Sequence, residues 1–166
     1  HKSIINTILS QVSAFSLTDK DNCLQFASPS FDASIWEIFI SLFSGSCLFI
    51  IKEEDKSNIE FFRNFIVNHT ITFATLPPAF LQLLSVEDLK GLKTLVTAGE
   101  SISLELARKF SKYYNYINAY GPTEASICST TFQGNIGEIV SIGKPIDNTS
   151  VYIMNESNKL LPIGVV

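Results

Sequence analysis

The stretch Asn118-Ala119-Tyr120-Gly121-Pro122-Thr123-Glu124 has the pattern of a buried strand, a glycine turn and a helix that begins at a proline. Side chains two residues apart on a strand share a face, so Asn118 and Tyr120 point to one side of the sheet and Ala119 to the other. Gly121 allows the backbone to turn and to approach a ligand, and proline suits the first helical position because its missing N–H costs nothing there. The stretch therefore predicts a strand–turn–helix junction of an α/β protein.

Two polar side chains, Thr123 and Glu124, would lie at the N-terminus of this helix. Free N–H groups at a helix N-terminus attract an anion, while a hydroxyl and a carboxylate can orient phosphate oxygens or hold Mg²⁺. One interpretation is therefore a nucleotide site. The other is an ordinary junction in which Glu124 only complements the helix dipole.

Apolar stretches along the rest of the chain alternate between strand and helix patterns. The predicted strands are 23–27, 46–51, 70–75, 93–97 and 116–120, and the predicted helices are 2–14, 31–43, 59–67, 77–84, 104–113 and 122–128. Strands that alternate with helices form parallel βαβ units, so we predict an α/β fold over residues 1–130, a flavodoxin-like parallel sheet with helices on both faces. Ligands of such folds bind beyond the carboxyl ends of the strands. In this sequence those ends are residues 28–32, 75–78, 97–100 and 120–124.

Residues 131–166 are richer in Gly, Asn and Ser and predict the start of a following β-rich region, with a strand at 150–154 and a hairpin turn at 155–158. The charged segment 52–57 is predicted to be a solvated loop. The chain begins without methionine and stops after a predicted strand and turn. We therefore expect both regions to belong to one domain of a longer protein.

The composition narrows the classes of function. Only 17% of the residues are charged, where about a quarter is usual, which suggests that the rest of a larger protein covers part of the surface. The net charge of -4 argues against nucleic acid as a partner. Cys23, Cys47 and Cys128 lack metal-ligand spacing and indicate a reducing compartment. Neither a signal peptide nor an apolar run of about 18 residues is present, so we expect a cytoplasmic protein without a membrane partner.

Three motifs together resemble one family. Asn118–Glu124 resembles a core motif of adenylate-forming enzymes, specifically of the amino-acid-activating (adenylation) domains of nonribosomal peptide synthetases. Phe31-Asp32-Ala33-Ser34-Ile35-Trp36-Glu37 resembles the family's substrate-amine motif, and Leu95-Val96-Thr97-Ala98-Gly99-Glu100 its adenine-side strand. The resemblance runs from His1 to Gly164. It implies a reaction of an amino acid with ATP that gives aminoacyl-AMP and pyrophosphate, followed by transfer to the phosphopantetheine thiol of a carrier domain.

The resemblance also implies roles for the residues around the opening stretch. Tyr120 would stack on adenine, Asn118 would form a hydrogen bond with the edge of the base, Thr123 would meet the α-phosphate and Glu124 would hold Mg²⁺. The residues that it places at the nucleotide are Gly99, Asn118, Ala119, Tyr120, Gly121 and Thr123.

An amino-acid pocket is implied around Asp32, which the family uses to pair with the α-amino group. Asp32 and Trp36 are four residues apart and share a helix face. A carboxylate on a mostly buried helix needs a partner, although Asp32 could instead cap the helix. By resemblance, the side-chain pocket is lined by Ala33, Trp36, Thr75, Val96, Ala98, Ala119, Ile127 and Cys128. The set resembles that of phenylalanine-activating domains, and its apolar character predicts phenylalanine or a similar large apolar amino acid. Taken singly, each of these residues could instead be an ordinary residue of the hydrophobic core.

Some family elements are absent from these residues. The phosphate-binding loop, the ribose-binding aspartate and the C-terminal catalytic lysine are missing, so we expect the 166-residue chain alone to bind ATP weakly and not to adenylate. Three alternatives remain: a non-catalytic subdomain that carries specificity, a sister acyl- or aryl-CoA ligase, and a flavoprotein. Asp32 and the apolar pocket argue against the ligase.

Overall fold

The computed structural model describes residues 1–162 and Gly164. The strands are β1 (Asn22–Gln25), β2 (Cys47–Ile50), β3 (Phe73–Thr75), β4 (Thr94–Thr97), β5 (Asn115–Tyr120), β6 (Thr130–Gln133) and β7 (Lys144–Pro145). The α-helices are α1 (Lys2–Ala14), α2 (Asp32–Ser44), α3 (Glu53–Lys56), α4 (Ile59–Asn68), α5 (Pro78–Leu81) and α6 (Leu104–Ser111), with 3₁₀ turns at Val86–Leu89 and Thr123–Ala125. In the described ranges, no helix is both long enough and apolar enough to cross a membrane.

The seven strands form one sheet in the order β2-β1-β3-β4-β5-β6-β7. Strands β1 to β5 are parallel and follow the flavodoxin-type order, which confirms the predicted α/β fold. Strands β6 and β7 extend this sheet in the antiparallel direction, which was not predicted. Because β6 pairs with β5, the sheet continues past residue 130. The domain boundary at that residue stays a prediction.

Consecutive apolar residues on the central strands supply two separate cores. On β4, Leu95 packs into a cluster with Phe62 of α4 and Phe110 of α6. Its neighbour Val96 packs on the other face with Ile8 of α1 and Ile40 of α2. Because successive side chains on a strand point to opposite faces, a continuously apolar strand requires helices on both sides. The core therefore follows from the apolar runs that the sequence showed.

Helix α2 is only half buried, contrary to our expectation of a mostly buried helix. Its inner face carries Trp36, Glu37 and Ile40, whereas Ile35 and Phe39 are exposed. Its C-terminal end agrees with the sequence, because Gly45 follows it with φ +74°. This left-handed conformation favours glycine at a helix end.

The helix predicted at 122–128 is wrong. Only Thr123–Ala125 forms a 3₁₀ turn, and Pro122 precedes it with an extended backbone instead of opening a helix. Ser126 and Ile127 follow with φ values of 63° and 75°. Two successive left-handed residues end any helix and reverse the chain.

Two smaller differences between the sequence predictions and the structure lie elsewhere in the chain. The segment predicted as a loop at 52–57 contains α3, in which Lys56 forms an ion pair with Glu53. The strand predicted at 150–154 is reduced to an isolated bridge between Met154 and Leu160. The turn predicted at 155–158 is present, because the Asn158 N–H donates to the Asn155 carbonyl at 2.9 Å.

Gly143, just before β7, offers a test of the antiparallel extension. Its φ is +84°, and a Cβ there would lie 1.9 Å from the carbonyl oxygen of Thr131 in β6. We expect Gly143→Ala to lower the free energy of unfolding by about 1–3 kcal/mol or more, because it adds backbone strain and pushes β6 away.

The matched control is Gly137→Ala, since a Cβ at Gly137 meets nothing within 4 Å. Urea denaturation of both variants measures the difference. Equal loss of stability in the two variants would contradict the close approach of Gly143 to β6.

Candidate active site

A pocket of about 630 Å³ opens beyond the carboxyl ends of β1, β3, β4 and β5. This is the edge at which such folds bind ligands. The pocket brings together many of the residues singled out from sequence, namely Asp32, Ala33, Trp36, Thr75, Ala98, Gly99, Ala119, Gly121, Ile127 and Cys128. Since these residues come from positions 32 to 128, only the folded sheet unites them.

Val96 does not line the pocket, although it was predicted to share a wall with Ala98. Its side chain is fully buried in the cluster that also holds Trp36 and Ile117. Ala98, two residues later, lies beyond the end of β4 and reaches the pocket. Val96 therefore supports the floor of the site from below.

The wall next to α2 is apolar and closely packed. The Trp36 ring lies 6.5 Å from the ring of Phe15 and 6.1 Å from that of Phe73 between centroids. In the same pocket, burial raises the pKa of the Cys128 thiol to about 11, so the thiol is neutral. A large ring and a neutral thiol suit an apolar ligand group.

Asp32 is the first residue of α2 and does not cap it. The N-cap residue is Phe31, and no side-chain capping hydrogen bond is present there. Instead, Asp32 Oδ2 accepts a hydrogen bond of 2.6 Å from Thr123 Oγ1, which follows β5. The predicted amine ligand and the predicted phosphate ligand are thus in direct contact. A neutral hydroxyl leaves the carboxylate free to meet a cation.

Of the residues predicted to hold a nucleotide, three line the pocket (Gly99, Ala119 and Gly121) and three do not (Asn118, Tyr120 and Thr123). Tyr120 ends β5 with 53% of its surface exposed, so its ring is available for stacking. Asn118 is buried, and its amide is already engaged. Its Nδ2 donates to the Ser141 carbonyl at 2.9 Å, and its Oδ1 accepts from Thr97 Oγ1 at 3.2 Å. One N–H and one oxygen lone pair of this amide remain for the predicted hydrogen bond to a base.

Gly121 is needed for a close approach between two segments of the chain. A Cβ at Gly121 would lie 2.6 Å from the Ser129 backbone nitrogen and 2.7 Å from the Ile127 carbonyl oxygen, because the chain folds back on itself at residues 127–129. Gly121 also lines the pocket, and the approach of a ligand to it stays a prediction.

Glu124 is the predicted Mg²⁺ ligand, and it is exposed. Over residues 1–162 and Gly164, no group of three or more His, Cys, Asp or Glu could hold a metal ion. A single carboxylate nevertheless fits Mg²⁺, which is commonly held by one or two carboxylates together with substrate phosphates.

Sequence reasoning missed Glu37, which also lines the pocket. It is 1% exposed, and its Oε2 accepts backbone N–H groups of Phe26 at 3.0 Å and Ala27 at 2.9 Å. Burial raises the Glu37 pKa to about 8, against the opposing effect of these N–H groups and of Lys56. Glu37 therefore fixes the chain that leaves β1 toward Asp32. The sequence signal that could have identified Glu37 is its position between Trp36 and Ile40, on the helix face that is buried.

The pocket also has a lobe that the sequence did not predict. This lobe lies toward α3 and α5 and is lined by Phe26, Glu53, Lys56, Ser57, Phe80 and Leu83. The site is therefore not free of charged residues. However, Lys56 and Glu53 pair with each other, and the Lys56 ammonium lies 5.0 Å from the centre of the Phe26 ring. The charges balance within this lobe.

The raised pKa of Glu37 predicts a pH-dependent stability. In the unfolded chain Glu37 loses its proton near its ordinary pKa of 4.5, whereas the folded chain keeps it up to about 8. The folded state thus binds more protons between these values, so stability falls as pH rises through this window. We expect Glu37→Gln, which cannot ionise but keeps an acceptor oxygen, to remove that part of the pH dependence.

The measurement is urea denaturation at several values from about pH 5 to pH 8. The control is Glu60→Gln, a change at an exposed residue of α4. If the wild-type and Glu37→Gln stabilities run parallel across this range, the assignment of a neutral buried carboxyl is wrong.

The sequence is similar to a known family and to curated proteins. The sequence model of the family described as AMP-binding enzyme matches residues 1–166. Tyrocidine synthase 1 of Brevibacillus parabrevis is 40% identical over 168 residues, and gramicidin S synthase 1 of Brevibacillus brevis is 41% identical over 167 residues. Each match covers 99% of this chain and 15% of the relative, so the chain spans a small part of these curated relatives.

The structure is also similar to that of a solved protein. The Vibrio cholerae adenylation domain AlmE, in complex with glycyl-adenosine-5'-phosphate, superposes with a TM-score of 0.83 at 27% identity. The match covers 96% of this chain and 32% of that domain.

Proposed function

The chain belongs to the AMP-binding enzyme family, and we propose that it forms the amino-acid-selecting part of an adenylation domain in a nonribosomal peptide synthetase. The carboxylate of the amino acid would attack the α-phosphate of ATP to give aminoacyl-AMP and pyrophosphate. The aminoacyl group would then pass to the phosphopantetheine thiol of a carrier domain. The contact that carries this proposal is the 2.6 Å hydrogen bond between Asp32 and Thr123 at the pocket.

The relatives support the proposal by their names. Two of them are synthases of tyrocidine and gramicidin S, and the solved adenylation domain holds an aminoacyl adenylate of glycine. The chain covers 15% of those synthases and 32% of that domain. Residues outside this chain would therefore complete the nucleotide site and the carrier interface. A cytoplasmic location stays a prediction.

The geometry supports an amino acid whose ammonium group meets Asp32 and whose side chain enters the apolar pocket. Trp36 and the neutral Cys128 thiol form two of its walls, and Ala33, Ala98 and Ala119 leave room between them. A phenyl ring or a large aliphatic chain is the complementary ligand. We therefore propose phenylalanine or a similar large apolar amino acid as the substrate.

In the proposed reaction the chain's residues mainly position the reactants. Asp32 would hold the ammonium group, so that the substrate carboxylate points toward the loop that carries Thr123. The Thr123 hydroxyl has one proton, so it would turn from Asp32 to donate to an α-phosphate oxygen once the ammonium group occupies the carboxylate. The exposed Tyr120 ring would stack on adenine. Glu124 would hold Mg²⁺, which neutralises charge on the phosphates when it is bound.

The test is amino-acid-dependent ATP–pyrophosphate exchange on the complete adenylation domain, with a panel of amino acids. We expect exchange to be greatest with phenylalanine. Asp32→Ala should lower kcat/KM for the amino acid by roughly 30-fold or more, because removing one partner of a desolvated charge pair costs about 2 kcal/mol or more. Asp19→Ala, at an exposed position that does not line the pocket, is the matched control.

Each outcome separates the alternatives. Exchange that is greatest with a charged amino acid would leave the reaction standing and disprove the substrate assignment. No exchange with any amino acid, together with activity on fatty acids and coenzyme A, would favour a sister ligase.

A further inference from the structure

We propose that Gln11 of α1 is a specificity-determining residue, which acts by holding the Trp36 wall of the amino-acid pocket. This inference rests on the proposed function, because it names how that pocket is kept selective. Gln11 itself does not line the pocket. It is fully buried, and its Oε1 accepts a hydrogen bond from the indole Nε1 of Trp36. The effect of Gln11 on a ligand is therefore indirect.

The position of Gln11 on its helix is unexpected from sequence. On α1, the apolar residues Ile5 and Leu9 are exposed, whereas Gln11 and Ser10 are buried. The helix thus turns a polar side chain toward α2. Ile8, also fully buried there, packs into the same cluster as Trp36. A polar residue at such a position needs a specific partner, and the indole N–H is that partner.

The hydrogen bond supplies a directional restraint that packing alone lacks. Phe15 and Phe73 pack against the Trp36 ring at centroid distances of 6.5 Å and 6.1 Å. Such contacts tolerate rotation of the ring, whereas an indole has one N–H, which points in one direction. Gln11 therefore fixes the orientation of the indole plane that the ligand side chain meets.

Gln11 also lies beside a second residue of the pocket wall, Cys128. Its amide lowers the pKa of that thiol against the larger effect of burial. Cys128 Sγ in turn donates to the Thr130 carbonyl at 3.4 Å. Gln11 thus bonds to the wall from α2 and lies near the wall from the loop before β6. We expect a change at Gln11 to alter the width of the slot between them.

The energetic cost of Gln11 points away from a purely structural purpose. Apart from its proximity to the Cys128 thiol, the buried Nε2 has no hydrogen-bond partner among the described residues. A buried polar group without a partner destabilises a fold, but replacing Gln11 alone leaves the Trp36 indole N–H without its acceptor. Replacing both partners removes that penalty, so the double variant separates the stability of the fold from the selectivity of the pocket.

The experiment uses the complete adenylation domain and two variants, Gln11→Met and Gln11→Leu, which keep bulk and lose the acceptor. Exposed Gln82→Met is the matched control. Binding by calorimetry and ATP–pyrophosphate exchange are measured with phenylalanine, leucine and tryptophan. We expect KM for phenylalanine to rise about tenfold and the preference for phenylalanine over leucine to fall at least about fivefold, with KM for ATP unchanged.

A double-mutant cycle adds a readout that a general loss of structure would not give. Trp36→Phe removes the indole N–H, so Gln11→Met should no longer change the preference in that background. An unchanged preference in Gln11→Met and Gln11→Leu, with an active wild type, would overturn the inference and leave the proposed function intact. A persistent effect of Gln11→Met on Trp36→Phe would also overturn it. A wild-type domain that neither binds nor exchanges any amino acid would overturn both.

Discussion

The parallel pairing of β4 with β5 is the interaction on which the site depends. Val96 lies opposite Ile117, and Thr97 lies opposite Asn118. This register brings Ala98 and Gly99 at the end of one strand next to Ala119 at the end of the other. The helices on both faces pack on residues whose positions this pairing sets. A slip of one residue would exchange the two faces and disperse the pocket.

Strands β1 to β5 could be predicted because each is an apolar run followed by a turn or helix signal, and such local patterns fix a parallel α/β sheet. Strands β6 and β7 could not, although they pair with neighbouring segments of the chain, because β6 (Thr130–Gln133) and β7 (Lys144–Pro145) are short and are not apolar runs. The helix prediction for 122–128 was wrong for another reason. Proline followed by helix-compatible residues predicts a helix, yet Ser126 and Ile127 adopt left-handed conformations that no local propensity favours. Tertiary contacts near Gly121 decide that loop.

For the site, the motifs identified which residues belong near the pocket, but not how they contact each other. The bond between Asp32 and Thr123 spans 91 positions and has no signature in either motif. Glu37 and Gln11 were missed because a polar residue inside an apolar helix is informative only when its partner is known. Four buried side-chain atoms in the described part lack partners, namely Gln11 Nε2, Glu37 Oε1, Thr75 Oγ1 and Thr130 Oγ1. All four belong to residues that line the pocket or contact its lining, so unsatisfied polarity is concentrated at the site.

Strand β2 forms the outer edge of the sheet, and Cys47 and Ile50 on it are exposed. An open edge of this kind presents backbone donors and acceptors in a row, which is the arrangement that recruits further strands during aggregation. The end of the sheet opposite β7 is therefore open to pairing with a further strand. For protein engineering, Ile50 is the position where a single added charge protects this edge, because it is exposed and does not line the pocket.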